Sequence, residues 1–388
     1  MNSQTLAANR HPRRILVRGV NWLGDAVMTT PALMRLREKF PAAHVALLTP
    51  EGLRDLWRHH PAVNETIAVR EEEGVLAVSR KLRAGNFDVA LVLPNSPRAA
   101  LEMWLAKIPC RIGHARSWRN LFLTLALPYR PGHRRMRKRS TAEIRRLIAA
   151  SPGTASDASP KLQDWASHQL HEYLHLAAAL GAKPEPLPPQ LFVSADEVEV
   201  ADGKFGLAGA TRPIFGLNPG AEYGPAKRWP AGSFIAAARQ IQERTGCRWV
   251  ILGGKGDAEL ASGIAAGVAA HSPSLISCVN LAGRTSLREL MAVLKLCRVL
   301  LTNDTGPMHV AAALGTPVVV PFGSTSPELT GPGLPGDARH RLLKSAAPCA
   351  PCFLRECPID FRCMTGIAVK RVVEAVISVV GQEMGGGR

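Results

Sequence analysis

The stretch Arg14–Phe40, "RILVRGVNWLGDAVMTTPALMRLREKF", decides the fold. The run Ile15–Val17 is apolar without alternation, as a strand covered on both faces of a sheet must be. A glycine-bearing turn follows. From Thr29 the segment "TTPALMRLREKF" carries apolar residues at helical spacing. Strand, tight turn and helix in this order open a βαβ unit whose next strand returns parallel. Many α/β proteins hold a phosphate at such a turn, because unpaired N–H groups of the helix N-terminus point out of it. This turn instead carries Asp25, and it lacks the G-x-G-x-x-G spacing of a dinucleotide loop. It therefore presents a carboxylate where an anion site would not want one.

Outward from this point the alternation continues. Strands are expected at Val45–Leu48, Thr66–Val69 and Val89–Leu93, with helical patterns such as "EGVLAVSRKLRAGNF" between them. From Tyr129 the chain turns basic, "YRPGHRRMRKRSTAEIRR", and then small and polar, "AASPGTASDASP". Together they read as a mobile basic loop over about 129–160. A helical pattern, "DWASHQLHEYLHLAAALG", closes the half, and "AKPEPLPPQLFV" reads as a stiff proline-rich linker. Alternation then restarts, with strands in "PIFGLNPG", "CRWVILGG", "RVLLTND" and "TPVVVPFGS". The 388 residues thus divide into two similar α/β halves. The expectation is two Rossmann-like domains facing across a cleft: 1–182, a linker at 183–192, and 193–365. A C-terminal helix at 366–380 and a disordered tail at 381–388 follow.

The formal net charge of +17 favours an anionic partner: nucleic acid, a membrane surface or a phosphorylated substrate. Only 10 Phe, 7 Trp and 3 Tyr are present, without the aromatic–basic interleaving of single-strand binders, which weighs against nucleic acid. The opening "MNSQTLAANRHPRR" has no apolar core of a secretory signal, and no 18-residue apolar span occurs. A cytoplasmic location is expected, where eight cysteines do not make a disulfide framework.

The most informative motif is "LLTNDTGPMHV", residues 300–310. A β-rich strand end runs into Asp304, Thr305 and Gly306, and Pro307 suits a first helical turn. Gly306 permits close backbone approach, Thr305 offers a hydroxyl, and His309 falls in the first turn, so a phosphate fits there. Asp304 would repel that phosphate and is expected to hold loop amides or sugar hydroxyls. The plainer alternative is a capped helix with Asp304 bonded locally. In "LNPGAEYGPAKRWP" (217–230), Lys227 is a point charge suited to a diphosphate, or a solvated loop cation. In "VILGGKGDAEL" (250–260), Asp257 serves a base or ribose pocket, or simply caps its helix. The run "CAPCFLRECPIDFRC" places Cys349, Cys352, Cys357 and Cys363 within fifteen residues. Three readings stay open: a structural metal, reduced thiols, or disulfides. Arg134, Arg135, Arg137, Lys138 and Arg139 form either an anion-binding stretch or a solvated loop.

Three of these segments, "ILVRGVNWLGDAVMTTPAL", "LNPGAEYGPAKRWP" and "LTNDTGPMHVAAALGTPVV", together resemble the ADP-heptose:lipopolysaccharide heptosyltransferases, glycosyltransferase family 9. The similarity runs in order over nearly the whole chain. It implies a GT-B fold, with acceptor in the first domain, nucleotide sugar in the second, and the C-terminal helix crossing back onto the first. It further implies Asp25 as catalytic base and Lys227 as phosphate-binding lysine. Asp304, Thr305, Gly306 and His309 would form the nucleotide-sugar motif, with Asp257 toward the nucleoside. The implied partners are ADP-heptose and the lipopolysaccharide inner core, met in peripheral contact with the inner membrane and without nucleic acid. No metal is obligatory in the implied reaction. Heptosyltransferases acting on Kdo or on a later heptose remain alternatives, as does a basic nucleic-acid-binding protein, which would bind random DNA with steep salt dependence.

Overall fold

The computed structural model describes residues 11–151, 165–207, 212–270 and 278–385, with side chains through 381. Residues 152–160 of the expected mobile loop and 386–388 of the expected tail lie outside the described residues, while 381–385, expected in the disordered tail, continue the C-terminal helix. Two compact units emerge: one takes residues up to 133 and 166–192, the other 134–165 and 193 onward.

The first unit is a six-stranded parallel sheet of β1 (Arg14–Arg18), β2 (His44–Pro50), β3 (Glu65–Val69), β4 (Val89–Val92), β5 (Cys110–His114) and β6 (Leu125–Leu127), in the order β3-β2-β1-β4-β5-β6. Ile15, Leu16 and Val17 are fully buried between β2 and β4, as their unbroken apolar run implied. Burial of each such side chain contributes roughly 1.5–3 kcal/mol relative to exposure. Helix Thr30–Lys39 covers one face with Ala32, Leu33 and Leu36 buried. Helix Leu170–Ala178, formed late in the chain, packs beside it.

The second unit repeats the plan with β7 (Ile214–Asn218), β8 (Arg248–Ile251), β9 (Cys278–Asn280), β10 (Val299–Thr302), β11 (Val318–Phe322) and β12 (Arg341–Lys344). Its order, β12-β11-β10-β7-β8-β9, is the same topology counted from β7. Each sheet therefore reverses direction once, between β1 and β4 and between β7 and β10. At such a switch point the connections leave toward opposite faces and open a crevice at the strand ends.

Four strands, β5, β6, β9 and β12, were not expected from the sequence; β5, β9 and β12 are short and carry polar or charged residues, and β6 is a three-residue apolar piece, Leu125–Leu127. The division also departs from the expected one in two places. Residues 134–165 go with the second unit: Ile144 of helix Thr141–Ala149 lies in its core, and Arg139 donates to the carbonyls of Cys352 and Pro348. The C-terminal helix, Val369–Gly385, was expected to pack on the first domain. It instead buries Val372, Val373, Val376, Val379 and Val380 in the core of the second unit, against helix Ala231–Thr245 and strands β10, β11 and β12. Among the described residues no helix is long and apolar enough to cross a membrane.

Of the five histidines buried among the described residues, desolvation pushes His60, His114, His309 and His340 down to about 4. The unfolded chain takes up these protons at higher pH than the folded one. Stability is thus full above about pH 6.5 and is lost as pH falls toward 4. Thermal melting is expected to show a midpoint several degrees lower at pH 5 than at pH 7.5. An unchanged midpoint across that window would mean that these rings accept protons without opposing the fold.

Candidate active site

In the first unit the switch point is built on Arg18, the last residue of β1. Its guanidinium is buried beside Glu102, with Nε 3.2 Å from Oε2, and donates to the carbonyl of Gly19 at 2.7 Å and to Asn21 Oδ1 at 3.4 Å. Burial lowers the Arg18 pKa, against the pull of Glu102. The pair thus fixes the loop that leads into helix Leu23–Met28. Trp22 is that helix's N-cap, without a side-chain cap bond, and Asp25 lies in the first turn. Asp25 is therefore no N-cap; it is a half-buried carboxylate in the first helical turn. The side chain of Gln169 reaches it, Nε2 donating to Asp25 Oδ1 at 3.2 Å.

In the second unit the switch point is closed by buried amides. Asn218 Nδ2 donates to Thr302 Oγ1 at 3.1 Å. Asn303 donates to the carbonyl of Pro219 at 2.7 Å and accepts from Trp229 N at 2.9 Å. Sequence reasoning missed Asn303, although its place just before Asp304 in "NDTG" was a usable signal. These bonds bring the loop after β7 against the loop after β10. Lys227 and Asp304 meet there as a buried ion pair, Nζ to Oδ2 at 2.7 Å. Asp304 also accepts from Thr325 Oγ1 at 2.5 Å. The sequence expectation for Asp304 was loop amides or sugar hydroxyls; the structure gives it a lysine and a threonine hydroxyl.

Thr305 is the N-cap of helix Gly306–Ala313 and makes no side-chain cap bond. The first-turn N–H groups and the Thr305 hydroxyl lie beside Lys227 and Asp304, an arrangement suited to an anion. His309 sits in that first turn but is buried. Desolvation holds its pKa at about 4 against the opposing pull of Asp304, so the ring is neutral at pH 7. His309 therefore adds no positive charge here, and the cation paired with Asp304 is Lys227.

Asp257 stands apart from this group. Its Oδ2 accepts from Gly254 N at 3.0 Å, its Oδ1 lies 3.4 Å from Arg228, and its carboxylate packs where a side chain on Gly220 would stand. It ties three loops together; as N-cap of helix Ala258–Ala269 it makes no side-chain cap bond, so its carboxylate does not cap that helix.

The cysteine-rich segment, given no role by the sequence, braces the lysine loop. Ala226 N donates to the Arg355 carbonyl at 2.9 Å, and Tyr223 donates to the Phe353 carbonyl at 2.8 Å. The Lys227 ammonium and the Arg355 guanidinium each lie over the Tyr223 ring, 4.9 and 5.2 Å from its centroid. Gly224, at φ 148°, presses on the Arg355 carbonyl, where a side chain has no room. Cys349, Cys352, Cys357 and Cys363 are free thiols lining one small cavity, and burial pushes Cys363 up to about 12. Among the described residues no three His, Cys, Asp or Glu side chains are arranged to hold a metal ion.

Two parallel-sheet units of one topology define the class of doubly wound two-domain α/β proteins, and the comparisons give the family. Residues 75–361 match glycosyltransferase family 9 (heptosyltransferase). Lipopolysaccharide heptosyltransferase 2 of Salmonella typhimurium is 34% identical over 332 residues, covering 82% of this chain and 85% of that protein. Its namesake from Escherichia coli is 33% identical over 332 residues, with the same coverage. The solved structure of E. coli ADP-heptose lipopolysaccharide heptosyltransferase II superposes with a TM-score of 0.74 at 29% identity, covering 96% of this chain and 99% of that one. The chain belongs to glycosyltransferase family 9, has the GT-B fold, and is a glycosyltransferase.

The Lys227–Asp304 pair makes a prediction about stability alone. Removing one partner strands the other charge in a desolvated site, at a cost of about 3–5 kcal/mol. Lys227→Met is expected to be strongly destabilised in urea titration, and Lys227→Met with Asp304→Asn to recover most of the loss. Equal stability of the single variant and wild type would show that the pair is effectively solvated.

Proposed function

We propose that the protein transfers L-glycero-D-manno-heptose from ADP-heptose to the inner-core heptose of lipopolysaccharide with inversion, the reaction of heptosyltransferase II. The observation that carries this reading is the pairing of site types on one topology. Asp25 stands at the switch point of the first sheet; Lys227 and the open N-terminus of helix Gly306–Ala313 stand at that of the second. Asp25 takes the proton of the acceptor hydroxyl as its oxygen attacks the anomeric carbon. The bond from that carbon to the β-phosphate oxygen breaks, and ADP leaves with the electron pair. General-base assistance of this kind contributes about 10²–10⁴-fold. Charge developing on the leaving diphosphate falls to Lys227, Thr305 and the first-turn N–H groups. Neutral His309 adds a hydrogen-bonding group without adding charge. This distribution calls for no metal.

Access to a lipid acceptor gives the exposed cations Arg134, Arg135, Arg137 and Lys138 a reason to stand together. We assign them a peripheral contact with the anionic cytoplasmic face of the inner membrane.

Turnover is followed as ADP release from ADP-heptose with defined truncated core acceptors. Release is expected only with an acceptor ending in the first inner-core heptose; release with a Kdo-terminated core or only with a longer core would reassign the acceptor. Asp25→Asn is expected to leave ADP binding intact while turnover falls by at least 10²-fold, and near-normal turnover would remove Asp25 as base. Lys227→Met with Asp304→Asn is expected to weaken ADP binding despite its recovered stability; unchanged ADP affinity would sink the phosphate role of Lys227. Dialysis against EDTA is expected to leave the wild-type rate unchanged, and a loss restored by a divalent cation would contradict the metal-free assignment.

A further inference from the structure

Gln169 is the N-cap residue of helix Leu170–Ala178, yet its side chain makes no cap bond. It reaches instead to a carboxylate 144 positions earlier in the chain. One Gln169 Nε2 serves two acceptors: Asp25 Oδ1 at 3.2 Å and the Tyr173 phenolic oxygen at 2.7 Å. An amide nitrogen has two hydrogens, so both bonds are made at once. An ionised carboxylate only accepts, so the amide must turn its nitrogen toward Asp25. Tyr173, one helical turn on, accepts the second hydrogen and gives the amide a second fixed anchor. It can do so because its ring is 5% exposed and locked among its neighbours. Burial, and then the charge of Asp25, raise its pKa well above the usual value, so the hydroxyl stays neutral. Buried Leu170, Leu174, Leu176 and Ala177 anchor the helix, which packs on helix Thr30–Lys39 directly after the Asp25 turn.

From this geometry we infer that Gln169, held by Tyr173, is a positioning residue for Asp25: it fixes the rotation of the carboxylate and lowers its basicity through one donated hydrogen bond. The inference rests on the reading of Asp25 as base. A carboxylate free to rotate loses alignment with the incoming hydroxyl, and small misplacements of a catalytic group cost large factors in rate. Loss of a donor to the charged form also raises the carboxylate pKa. The two effects leave separate signatures, one in kcat and one in the pH profile.

The test compares Gln169→Leu, Gln169→Glu, Tyr173→Phe and Asp25→Asn in the full-length enzyme, with ADP-heptose and the defined heptose-terminated acceptor. Gln169→Leu is expected to lower kcat by roughly tenfold. Its KM for ADP-heptose should stay within about twofold, because the donor-phosphate groups lie in the second unit. The acid limb of kcat/KM against pH is expected to move upward, and further upward in Gln169→Glu, where a second carboxylate faces the first. Tyr173→Phe keeps the ring and removes the acceptor, so a smaller fall in kcat is expected. ADP titration and thermal melting on each variant check the fold. Should Gln169→Leu fail to fold, Gln169→Glu, close in size to the native residue, still reads out the limb. A wild-type kcat and an unmoved acid limb in the folded Gln169 variants, with Asp25→Asn inactive, overturn the role of Gln169 alone. Full activity of Asp25→Asn overturns the base assignment and this inference with it.

Discussion

In a wholly parallel sheet every strand releases the chain at the same edge, and every connection must cross a face to reach the start of the next strand. Helices therefore fill the faces, and the polar loops gather at the strand-end edge. Where the strand order reverses, neighbouring loops diverge and their backbone groups lose ladder partners. Those groups still need hydrogen bonds. In the first unit Arg18, paired with Glu102, supplies one at the Gly19 carbonyl. In the second, Asn303 supplies several, to Pro219 and Trp229. Buried polar side chains are concentrated beneath the two switch points because the topology creates the need for them there.

The same topology appears twice with opposite chemistry. A base and a leaving diphosphate are both anionic, so one helix N-terminus cannot serve both. On the proposed reading, two copies of one plan let one turn carry Asp25 while the other stays open for phosphate. That second turn also holds a carboxylate, Asp304. Its ion pair with Lys227, shared with Thr325, holds the ammonium in place before any ligand arrives. On the proposed reading, an incoming phosphate competes with Asp304 for the lysine. Some affinity is given up, and in return a long flexible side chain is already oriented.

Segments far from the sheets in sequence complete the sites. Carbonyls of Phe353 and Arg355, between the clustered cysteines, hold the loop that bears Lys227. Helix Leu170–Ala178, formed after the basic stretch, returns to the first sheet and brings Gln169 to Asp25. Buried His309 shows how position changes a residue's chemistry. Its place in the first turn follows from the motif, but its neutrality follows from desolvation.

The sequence alone determined the two α/β halves, the inner strands and the chemically distinctive turns. Runs such as Ile15–Val17 and Val318–Val320 are buried on both faces, and that constraint is written locally as unbroken β-branched and aliphatic residues. Asp25, Lys227 and Thr305 were legible because each sits between a strand and a helix, where local pattern fixes the strand end. Tertiary structure decided the rest. Strands β5 and β12 carry Arg111, His114, Arg341 and Lys344, which give no clear strand period, so only pairing with a neighbouring strand makes them strands. Residues 134–165 and the C-terminal helix joined the second unit because Ile144 and Val376 found its core, a choice between two apolar surfaces that helical spacing cannot express. The bonds of Gln169 to Asp25 and of Lys227 to Asp304 join residues 144 and 77 positions apart. Such contacts depend on where the chain returns in space, and no local periodicity records that return.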